Sequence, residues 1–557
     1  MTRIASLVSP LCVFSILVLW GCSGLREDET VSEQQLACEA LAQTPNLTIT
    51  VARLVEATET TPQYCYMKGV ISPAIVYHMQ LPLPENWNGR LLNIGDGGKD
   101  GDLDFSDERL TQGYAVANSN MGHDNGVEPG ASFGFNNRQA EIDFGYRAVH
   151  LTANASKSVV DAYYGTSPQY SYFEGCSTGG REGLMEAQRF PYDFDGIVAG
   201  APVYSYQRTN ATTVWMLQSI FRDNLAGNLA YDQDGDGVPE SLTKFELLIH
   251  SVLDKCDGVD GITDGVIDDP LACEFKPELE FADKMCPNNV NGEACFTTQQ
   301  IQTIQDIYGG SHDSKGVRIF KGKALGTESG WVSGLFPHAG NSMSPTRLGT
   351  PERPGPTADH VNYLFYENDP GVPMPKLNDL SQVPDKTRQP PEYAWWEFDI
   401  DDVTAGKGDL MMSITDATDP DLNRFLFKND GKLILYHGWA DSAASPEPTL
   451  DYYKDVVATT FNGDIDAAKQ KVQLFMAPGM EHCGNGPGPN SWDKLAPLVE
   501  WVENGKAPEF IVATHSTDGV VDNERPICAY PGRAVYTGPA GGANDPANWV
   551  ASNFACQ

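Results

Sequence analysis

The sequence predicts an α/β fold: a mostly parallel β-sheet covered by helices on both faces, with a large domain inserted between its strands. Two features of the apolar pattern support this prediction. Short apolar runs of strand length alternate with helical spacing in residues 91–202 and again after residue 431. From about residue 205 to residue 430 the alternation stops, and acidic loops, prolines and closely spaced cysteines take its place.

The elements of the sheet follow from the apolar runs in order. Strands are predicted at residues 91–94, 114–117, 171–173, 197–199, 432–436 and 472–475, and helices at residues 142–164, 181–190 and 492–502. An insertion between strands is a common way to build a lid. The predicted parts are a signal peptide (1–21), a first part of the sheet domain (22–204), a lid domain (205–430) and a second part of the sheet domain (431–557).

Size and charge limit the classes of partner. The 557 residues, of which 41% are apolar, are enough to bury large cores in two or more domains. The chain has 38 basic and 75 acidic residues, which gives a formal net charge of −37. Binding to nucleic acid through phosphate contacts needs a basic surface, so this class of partner is excluded.

The N-terminus is typical of an exported protein. Residues 7–20 form an apolar run that is too short to span a membrane and fits the core of a signal peptide. Residues 19–22 resemble the lipobox of bacterial lipoproteins, in which the cysteine, here Cys22, is lipidated; a plain secretory signal is the alternative. We expect an outer-membrane lipoprotein, or otherwise a secreted protein, whose membrane contact is made only through the N-terminal lipid.

The cysteines indicate an oxidising compartment. Of twelve cysteines, Cys12 lies in the signal peptide and Cys22 is the lipidation site, which leaves ten. An even number in an exported chain predicts five disulfides, and the lack of CxxC spacing makes metal binding the weaker alternative. Nearness in the sequence predicts three pairs: Cys38 with Cys65, Cys256 with Cys273, and Cys286 with Cys295. A pair of Cys528 with Cys556 could close the C-terminus. By subtraction, the remaining pair is Cys176 with Cys483.

A candidate nucleophile lies where a predicted strand meets a predicted helix. Residues 175–179 match G-x-S-x-G, the turn that exposes a serine hydroxyl, here Ser177, in α/β-hydrolases. Asp441 and His482 follow later strands in the order Ser, Asp, His that this fold uses for a catalytic triad. The alternatives are a simple turn serine, a solvated aspartate and nine other histidines that compete with His482.

The predicted disulfide between Cys176 and Cys483 favours the triad. Each cysteine is adjacent to a candidate catalytic residue, and a disulfide holds its two Cα atoms about 5 to 6 Å apart. The bridge would therefore hold Ser177 beside His482, where proton transfer needs a separation of about 3 Å.

Four stretches of the chain resemble the tannase and feruloyl esterase family. They are residues 172–191, which contain Gly175-Cys176-Ser177-Thr178-Gly179, and residues 195–202, 433–441 and 481–483. The resemblance implies an α/β-hydrolase fold with a lid, a disulfide beside the catalytic serine and histidine, and hydrolysis of esters of aromatic acids. It also implies that Ser177 attacks the ester carbonyl, His482 transfers the proton and Asp441 orients His482.

Further residues of the site follow from the same resemblance. The backbone N–H of Thr178 would be one donor to the oxyanion, and Gly97 or Gly98 would supply the other. His437, four residues before Asp441, is either a substrate contact or a structural histidine.

A group of candidate metal ligands lies in the inserted domain. Residues 256–266 place three aspartates at short spacing among glycines, and oxygen ligands in such a loop suit calcium. The resemblance implies the ligands: the side chains of Asp257, Asp260 and Asp264 and the carbonyls of Ile262 and Val266. On so acidic a chain, a solvated run of charges is the alternative.

Two other features of the inserted domain stay open. Asp232, Asp234 and Asp236 imitate the start of an EF-hand loop, but its twelfth position is Thr243 instead of a bidentate glutamate. Trp395 and Trp396 are candidates for one apolar wall of a pocket for an aromatic ring, and ordinary core residues are the alternative.

The predicted function is that of a serine esterase, secreted or lipid-anchored, which hydrolyses esters of aromatic or phenolic acids and is of the feruloyl esterase or tannase type. It would contain structural Ca²⁺ and no organic cofactor. The alternatives are a terephthalate-monoester hydrolase and a surface binding protein that keeps the fold without turnover. The sequence predicts neither the acid and alcohol of the substrate nor the oligomeric state.

Overall fold

The computed structural model describes residues 32–341, 356–370 and 397–557. Over these ranges the strands are β1 (Thr48–Val55), β2 (Tyr64–Ile71), β3 (Ile75–Pro82), β4 (Arg90–Ile94), β5 (Ala115–Ser119), β6 (Tyr170–Cys176), β7 (Gly196–Gly200), β8 (Lys432–Gly438), β9 (Val472–Ala477), β10 (Phe510–Thr517), β11 (Val520–Cys528), β12 (Ala534–Tyr536) and β13 (Phe554–Cys556).

The α-helices of the described residues are α1 (Glu33–Ala40), α2 (Asp107–Thr111), α3 (Arg138–Ile142), α4 (Ala148–Tyr164), α5 (Thr178–Arg189), α6 (Tyr206–Leu225), α7 (Thr243–Cys256), α8 (Pro277–Glu280), α9 (Thr298–Gly309), α10 (Glu328–Gly334), α11 (Pro356–Tyr363), α12 (Asp401–Thr404), α13 (Asp409–Thr415), α14 (Pro446–Thr460), α15 (Ile465–Ala468) and α16 (Ala496–Asn504). Short turns of 3₁₀ and π type connect several of them. No helix among the described residues is long and apolar enough to cross a membrane.

The main sheet has nine strands in the order β1-β2-β3-β5-β4-β6-β7-β8-β9. The pairs from β1 to β5 are antiparallel, and the pairs from β5 through β4 and β6 to β9 are parallel. Each of the six predicted strands overlaps one of the strands β4 to β9. The predicted α/β class with a mostly parallel sheet is therefore confirmed.

Both faces of the sheet are buried, which explains the continuous apolar runs of its central strands. Phe173, Ile197 and Leu433 pack into a core on one face, together with residues of α4, α5 and α14. Their neighbours Tyr172, Val198 and Ile434 pack into a second core together with α16. Successive side chains of a strand point to opposite faces, so a strand covered on both faces has little polar alternation.

The parallel strands bring their carboxyl ends to one edge of the sheet. In register, Ile94 of β4 pairs with Glu174 of β6, and Cys176 of β6 pairs with Gly200 of β7. The residues that follow β4, β6, β8 and β9 therefore meet at this edge. These are the loop after β4, the start of α5, and the loops that contain Asp441 and His482.

The chain between β7 and β8 builds a separate helical core. Residues of α7, α9 and α10, among them Leu248, Ile304 and Trp331, pack together. In the described part of this segment no residue joins the main sheet. The exact domain boundaries at residues 205 and 430 remain a prediction.

Disulfides connect distant parts of the chain. The structure contains all five predicted pairs: Cys38–Cys65, Cys176–Cys483, Cys256–Cys273, Cys286–Cys295 and Cys528–Cys556. The prediction of five disulfides is confirmed.

Candidate active site

Ser177 lies in a sharp turn between β6 and α5. Its φ of 63° and ψ of −119° are unfavourable for a residue with a side chain. A Cβ on Gly175 would lie 2.6 Å from backbone atoms of Gly179, and one on Gly179 would lie 2.7 Å from the carbonyl oxygen of Asp96. Only glycine fits at these two positions, and this explains why the turn needs the G-x-S-x-G pattern.

Asp441 and His482 form a direct hydrogen bond. His482 Nδ1 is 2.6 Å from Asp441 Oδ2, and the carboxylate is 0% exposed. Burial alone would raise the pKa of the Asp441 carboxyl, but the charge of His482 and the hydrogen bonds from His482 and His437 outweigh it. The pKa of Asp441 therefore lies well below its usual range, and the carboxylate stays ionised.

The disulfide between Cys176 and Cys483 ties the serine turn to the histidine loop. Its two Cα atoms are 6.0 Å apart, although the cysteines are separated by 307 positions in the chain. Ser177 follows the first cysteine, and His482 precedes the second. We call this bridge the clamp disulfide.

The atoms that a nucleophile and its base would use are free. Among the described residues, neither the Ser177 hydroxyl nor His482 Nε2 takes part in a hydrogen bond, and none joins these two atoms. Because Nδ1 of His482 is bonded to Asp441, Nε2 is the ring nitrogen available to accept a proton.

The loop after β4 packs against the start of α5. Thr178 Oγ1 donates to the carbonyl of Gly98 at 2.7 Å, and Gly179 N–H donates to the carbonyl of Asp96 at 2.7 Å. The backbone N–H groups of Thr178 and Gly98 donate to no other described residue.

Buried acidic groups lie beneath this loop, and sequence analysis did not find them. Glu182 of α5 accepts the N–H of Asp96 at 3.4 Å. Burial, and then repulsion by Glu182, raises the pKa of Asp96 to about 8. Asp96 stands inside the Gly95–Gly98 loop, but Glu182 gave no signal because a glutamate on an exposed helix face has the same pattern.

His437 is fully buried and presents no exposed surface to a substrate. Its side chain is 0% exposed, and Nε2 lies 3.0 Å from Asp441 Oδ2, on the buried side of that carboxylate. The hypothesis of a substrate contact is therefore corrected in favour of the structural alternative. The other substrate-contact candidates, Trp395 and Trp396, lie outside the described residues, as does Cys22, the predicted lipidation site.

The predicted calcium loop is curled and closed by the Cys256–Cys273 disulfide. The carboxylate of Asp257 accepts the N–H groups of Asp264 and Gly265, and Asp260 accepts the N–H of Ile262. The buried guanidinium of Arg525 contacts Asp264 at 2.7 Å. Three side-chain carboxylates and two carbonyls form an oxygen-only set.

The backbone carbonyls of this loop support the fit of a hard cation. Ile262 and Val266 are buried, and their carbonyl oxygens accept no hydrogen bond from the described residues. Buried carbonyls are normally satisfied, so two free ones in one acidic loop suit an oxygen-seeking ion. The side-chain oxygens of the three aspartates do not all lie within 4.8 Å of one another. They are therefore spaced more widely than the carboxylates of the EF-hand-like loop.

Two tighter groups occur among the described residues. One is the EF-hand-like loop, where Asp232, Asp234, Asp236 and Glu240 lie with ligand atoms within 4.8 Å of one another; the other contains His150, Glu186 and Asp193. The four carboxylates of the first group accept N–H groups of their own loop. These bonds explain the loop conformation without an ion.

Comparison with known proteins decides the family. A model of the family described as tannase and feruloyl esterase matches residues 60–556. The chain belongs to this family. It is 33% identical over 546 residues to mono(2-hydroxyethyl) terephthalate hydrolase of Piscinibacter sakaiensis, covering 89% of this chain and 85% of that protein. It is 31% identical over 456 residues to the probable feruloyl esterase B-2 of Aspergillus flavus, covering 78% and 76%.

Solved structures agree with this family in fold. The crystal structure of feruloyl esterase B from Aspergillus oryzae aligns with a TM-score of 0.75 at 23% identity and covers 94% of this chain and 100% of its own. Tannin acyl hydrolase from Aspergillus niger aligns with a TM-score of 0.64 at 20% identity, covering 92% and 90%. The α/β-hydrolase fold with a lid domain is confirmed. Family members are carboxylic ester hydrolases, and this protein is an esterase.

Proposed function

We propose that this esterase hydrolyses esters of aromatic or phenolic acids, of the feruloyl esterase or tannase type, through an acyl-enzyme on Ser177. One observation carries the proposal: the Asp441–His482 hydrogen bond of 2.6 Å lies next to a disulfide that joins the neighbours of His482 and Ser177. A second candidate substrate is a terephthalate monoester, because the 33% identical relative is named as a hydrolase of such an ester.

The proposed mechanism has two halves. His482 Nε2 accepts the hydroxyl proton while Ser177 Oγ attacks the ester carbonyl, and the resulting imidazolium returns that proton to the leaving alcohol. The acyl group stays on Ser177. A water molecule then gives its proton to His482 and attacks the acyl carbonyl, which releases the acid and restores the serine hydroxyl. Asp441 holds Nδ1–H throughout, so Nε2 keeps its accepting role.

The oxyanion of each tetrahedral intermediate needs preorganised donors. The free N–H of Thr178 supports its role as one donor. Gly97 or Gly98 would supply the second donor, and the N–H of Gly98 donates to no described residue. The bond from Thr178 Oγ1 to the Gly98 carbonyl keeps the two donors together.

A panel of esters tests this proposal. The mature protein is assayed with methyl gallate, methyl ferulate, methyl p-coumarate and mono(2-hydroxyethyl) terephthalate, with Ser177→Ala as the blank. We expect hydrolysis of at least one phenolic ester and its complete loss in the blank. The ranking by kcat/KM separates the feruloyl, gallate and terephthalate alternatives.

Other outcomes would change the proposal in defined ways. Preference for the terephthalate monoester would establish the second candidate. Turnover of no ester by oxidised protein supplied with Ca²⁺ would favour the binding protein without turnover. Turnover that survives in Ser177→Ala would remove the serine mechanism.

We also propose a structural Ca²⁺ in the lid, held by the side chains of Asp257, Asp260 and Asp264 and the carbonyls of Ile262 and Val266. Such an ion would neutralise negative charge on the three carboxylates and fix the loop. Its binding energy would add to the stability of the folded chain. No step of the ester chemistry uses it.

Removal of calcium is expected to lower thermal stability. At a Ca²⁺ concentration a hundredfold above the dissociation constant, a single site adds about 2.7 kcal/mol. The midpoint measured by scanning calorimetry should therefore fall when EGTA replaces Ca²⁺. The fall should vanish in Asp260→Asn and persist in Asp236→Asn, a matched change in the EF-hand-like loop. An equal midpoint for the wild type in Ca²⁺ and in EGTA would refute the site.

Export, and lipidation at Cys22, remain proposals because the residues involved lie outside the described ranges. The five disulfides support an oxidising compartment. Mass spectrometry of the mature N-terminus would distinguish a lipidated cysteine from a plain secretory cleavage product.

A further inference from the structure

His437 stands directly behind the proposed catalytic aspartate. It is the residue before the last position of β8, and no part of its side chain is exposed. Nε2 is 3.0 Å from Asp441 Oδ2 and 3.1 Å from the carbonyl oxygen of Ala444, and Nδ1 is 2.8 Å from Thr449 Oγ1. Since the ring has no solvent access, it cannot act on a substrate directly.

The partners of the ring determine where its hydrogen lies. Nε2 faces two acceptors, a carboxylate and a carbonyl, and an unprotonated nitrogen there would set three lone pairs against one another. Nε2 therefore carries the hydrogen. In the neutral ring, Nδ1 accepts the hydroxyl hydrogen of Thr449. His437 is thus a donor toward Asp441.

Asp441 receives four hydrogen bonds, two on each oxygen. Oδ1 accepts the N–H groups of Ala443 and Ala444, both at 2.8 Å. Oδ2 accepts from both histidines, at 3.0 Å from His437 and 2.6 Å from His482. A carboxylate offers about four lone-pair directions, so this one is saturated and cannot turn without breaking bonds.

We propose that His437 is a positioning residue for the reaction: its Nε2–H fixes Asp441 Oδ2 at the place where His482 Nδ1–H meets it. The inference rests on the proposed function, because His437 acts only through Asp441 and His482. The hydrogen bond also partly neutralises the negative charge on Oδ2. It therefore weakens the electrostatic attraction between Asp441 and the imidazolium form of His482.

Loss of this donor has two consequences. The carboxylate becomes free to rotate, so His482 is less well oriented for the serine proton. Its oxygen also attracts the imidazolium more strongly, so His482 stays protonated to higher pH. The titratable groups that face Asp441 among the described residues are His437, His482 and Glu481, and the kinetic comparison alters only the first of these.

The test compares His437→Leu, which removes the donor, with His437→Gln, whose side-chain amide can place an N–H where Nε2 lies. For the leucine variant we expect kcat to fall about ten- to a hundredfold, with KM within about twofold and the acid limb of the pH profile moved upward. The glutamine variant should recover kcat to within about threefold of the wild type and restore the acid limb.

A titration keeps this inference separate from the proposed function. The ring signals of His482 are followed by NMR in histidine-labelled protein, with His482→Gln used for assignment. His482 should titrate at higher pH in His437→Leu than in the wild type or His437→Gln, whether or not the wild type hydrolyses any panel ester. Absence of turnover in the wild type would count against the proposed function only.

The inference fails if His482 titrates alike in all three proteins, or if both substitutions reduce kcat equally, which would indicate packing alone. If His437→Leu does not fold, Thr449→Val replaces it. That change frees Nδ1 of His437 while leaving Asp441 intact, and we expect an upward shift of the His482 titration and a severalfold fall in kcat. Wild-type behaviour of Thr449→Val in both measurements would then overturn the proposal.

Discussion

Asp441→Asn should lower kcat about 10⁴-fold, the magnitude expected when a triad histidine is held in the wrong tautomer. Oδ1 of Asp441 accepts two backbone N–H groups, so the amide oxygen of asparagine would take that place. Its NH₂ group would then face His482 Nδ1, which must become the unprotonated nitrogen. The proton would move to Nε2, and His482 could no longer accept the hydroxyl proton of Ser177.

The control for this prediction uses the histidine itself. In a His482→Ala background, Asp441→Asn should reduce kcat by little more, because the aspartate acts through the imidazole and such effects are not additive. Steady-state kinetics on the best ester of the panel measures both variants. A further 10⁴-fold loss in that background would contradict the triad assignment.

Removal of the clamp disulfide in Cys176→Ser/Cys483→Ser should lower kcat about a hundredfold or more and reduce thermal stability strongly. A displacement of about 1 Å between nucleophile and base can cost a factor of this size. A cross-link across 307 positions also restricts the unfolded chain, by an entropy equivalent to about 5.7 kcal/mol.

The lid offers a matched control for the clamp. Cys286 and Cys295 form a disulfide over a sequence separation of 9, whose removal costs about 2.7 kcal/mol by the same relation. Cys286→Ser/Cys295→Ser should therefore lower the thermal midpoint less and leave kcat within about twofold. Equal kcat losses in the two double variants would show that the clamp has no special part in the chemistry.

The sequence predicted the parallel half of the sheet better than its edges. Strands such as β8, with Leu433, Ile434 and Leu435 all buried, are covered on both faces and stand out as apolar runs. The antiparallel strands β1 to β3 and the pairs β10–β11 and β12–β13 were not predicted. In β1 and β10 many side chains are partly or fully exposed, so their apolar signal is weak.

The candidate site divides in the same way. Ser177, Asp441 and His482 could be proposed because each follows a strand and two of them adjoin cysteines. The positioning role that we propose for His437 could not be predicted from the sequence. It depends on Thr449 of α14 packing beside the end of β8. The choice between Gly97 and Gly98 as the second oxyanion donor could not be made from the sequence either, because it depends on the directions of their N–H groups.

The clamp disulfide also means that the active site can be completed only after most of the chain has been synthesised. Its second cysteine is residue 483 of 557, so a chain that is still being synthesised or threaded through a membrane lacks half of the site until nearly all of it has emerged. Oxidation must then follow before nucleophile and base are held together. If loss of the clamp lowers kcat as predicted above, the protein reaches full activity only after Cys176 and Cys483 have been oxidised.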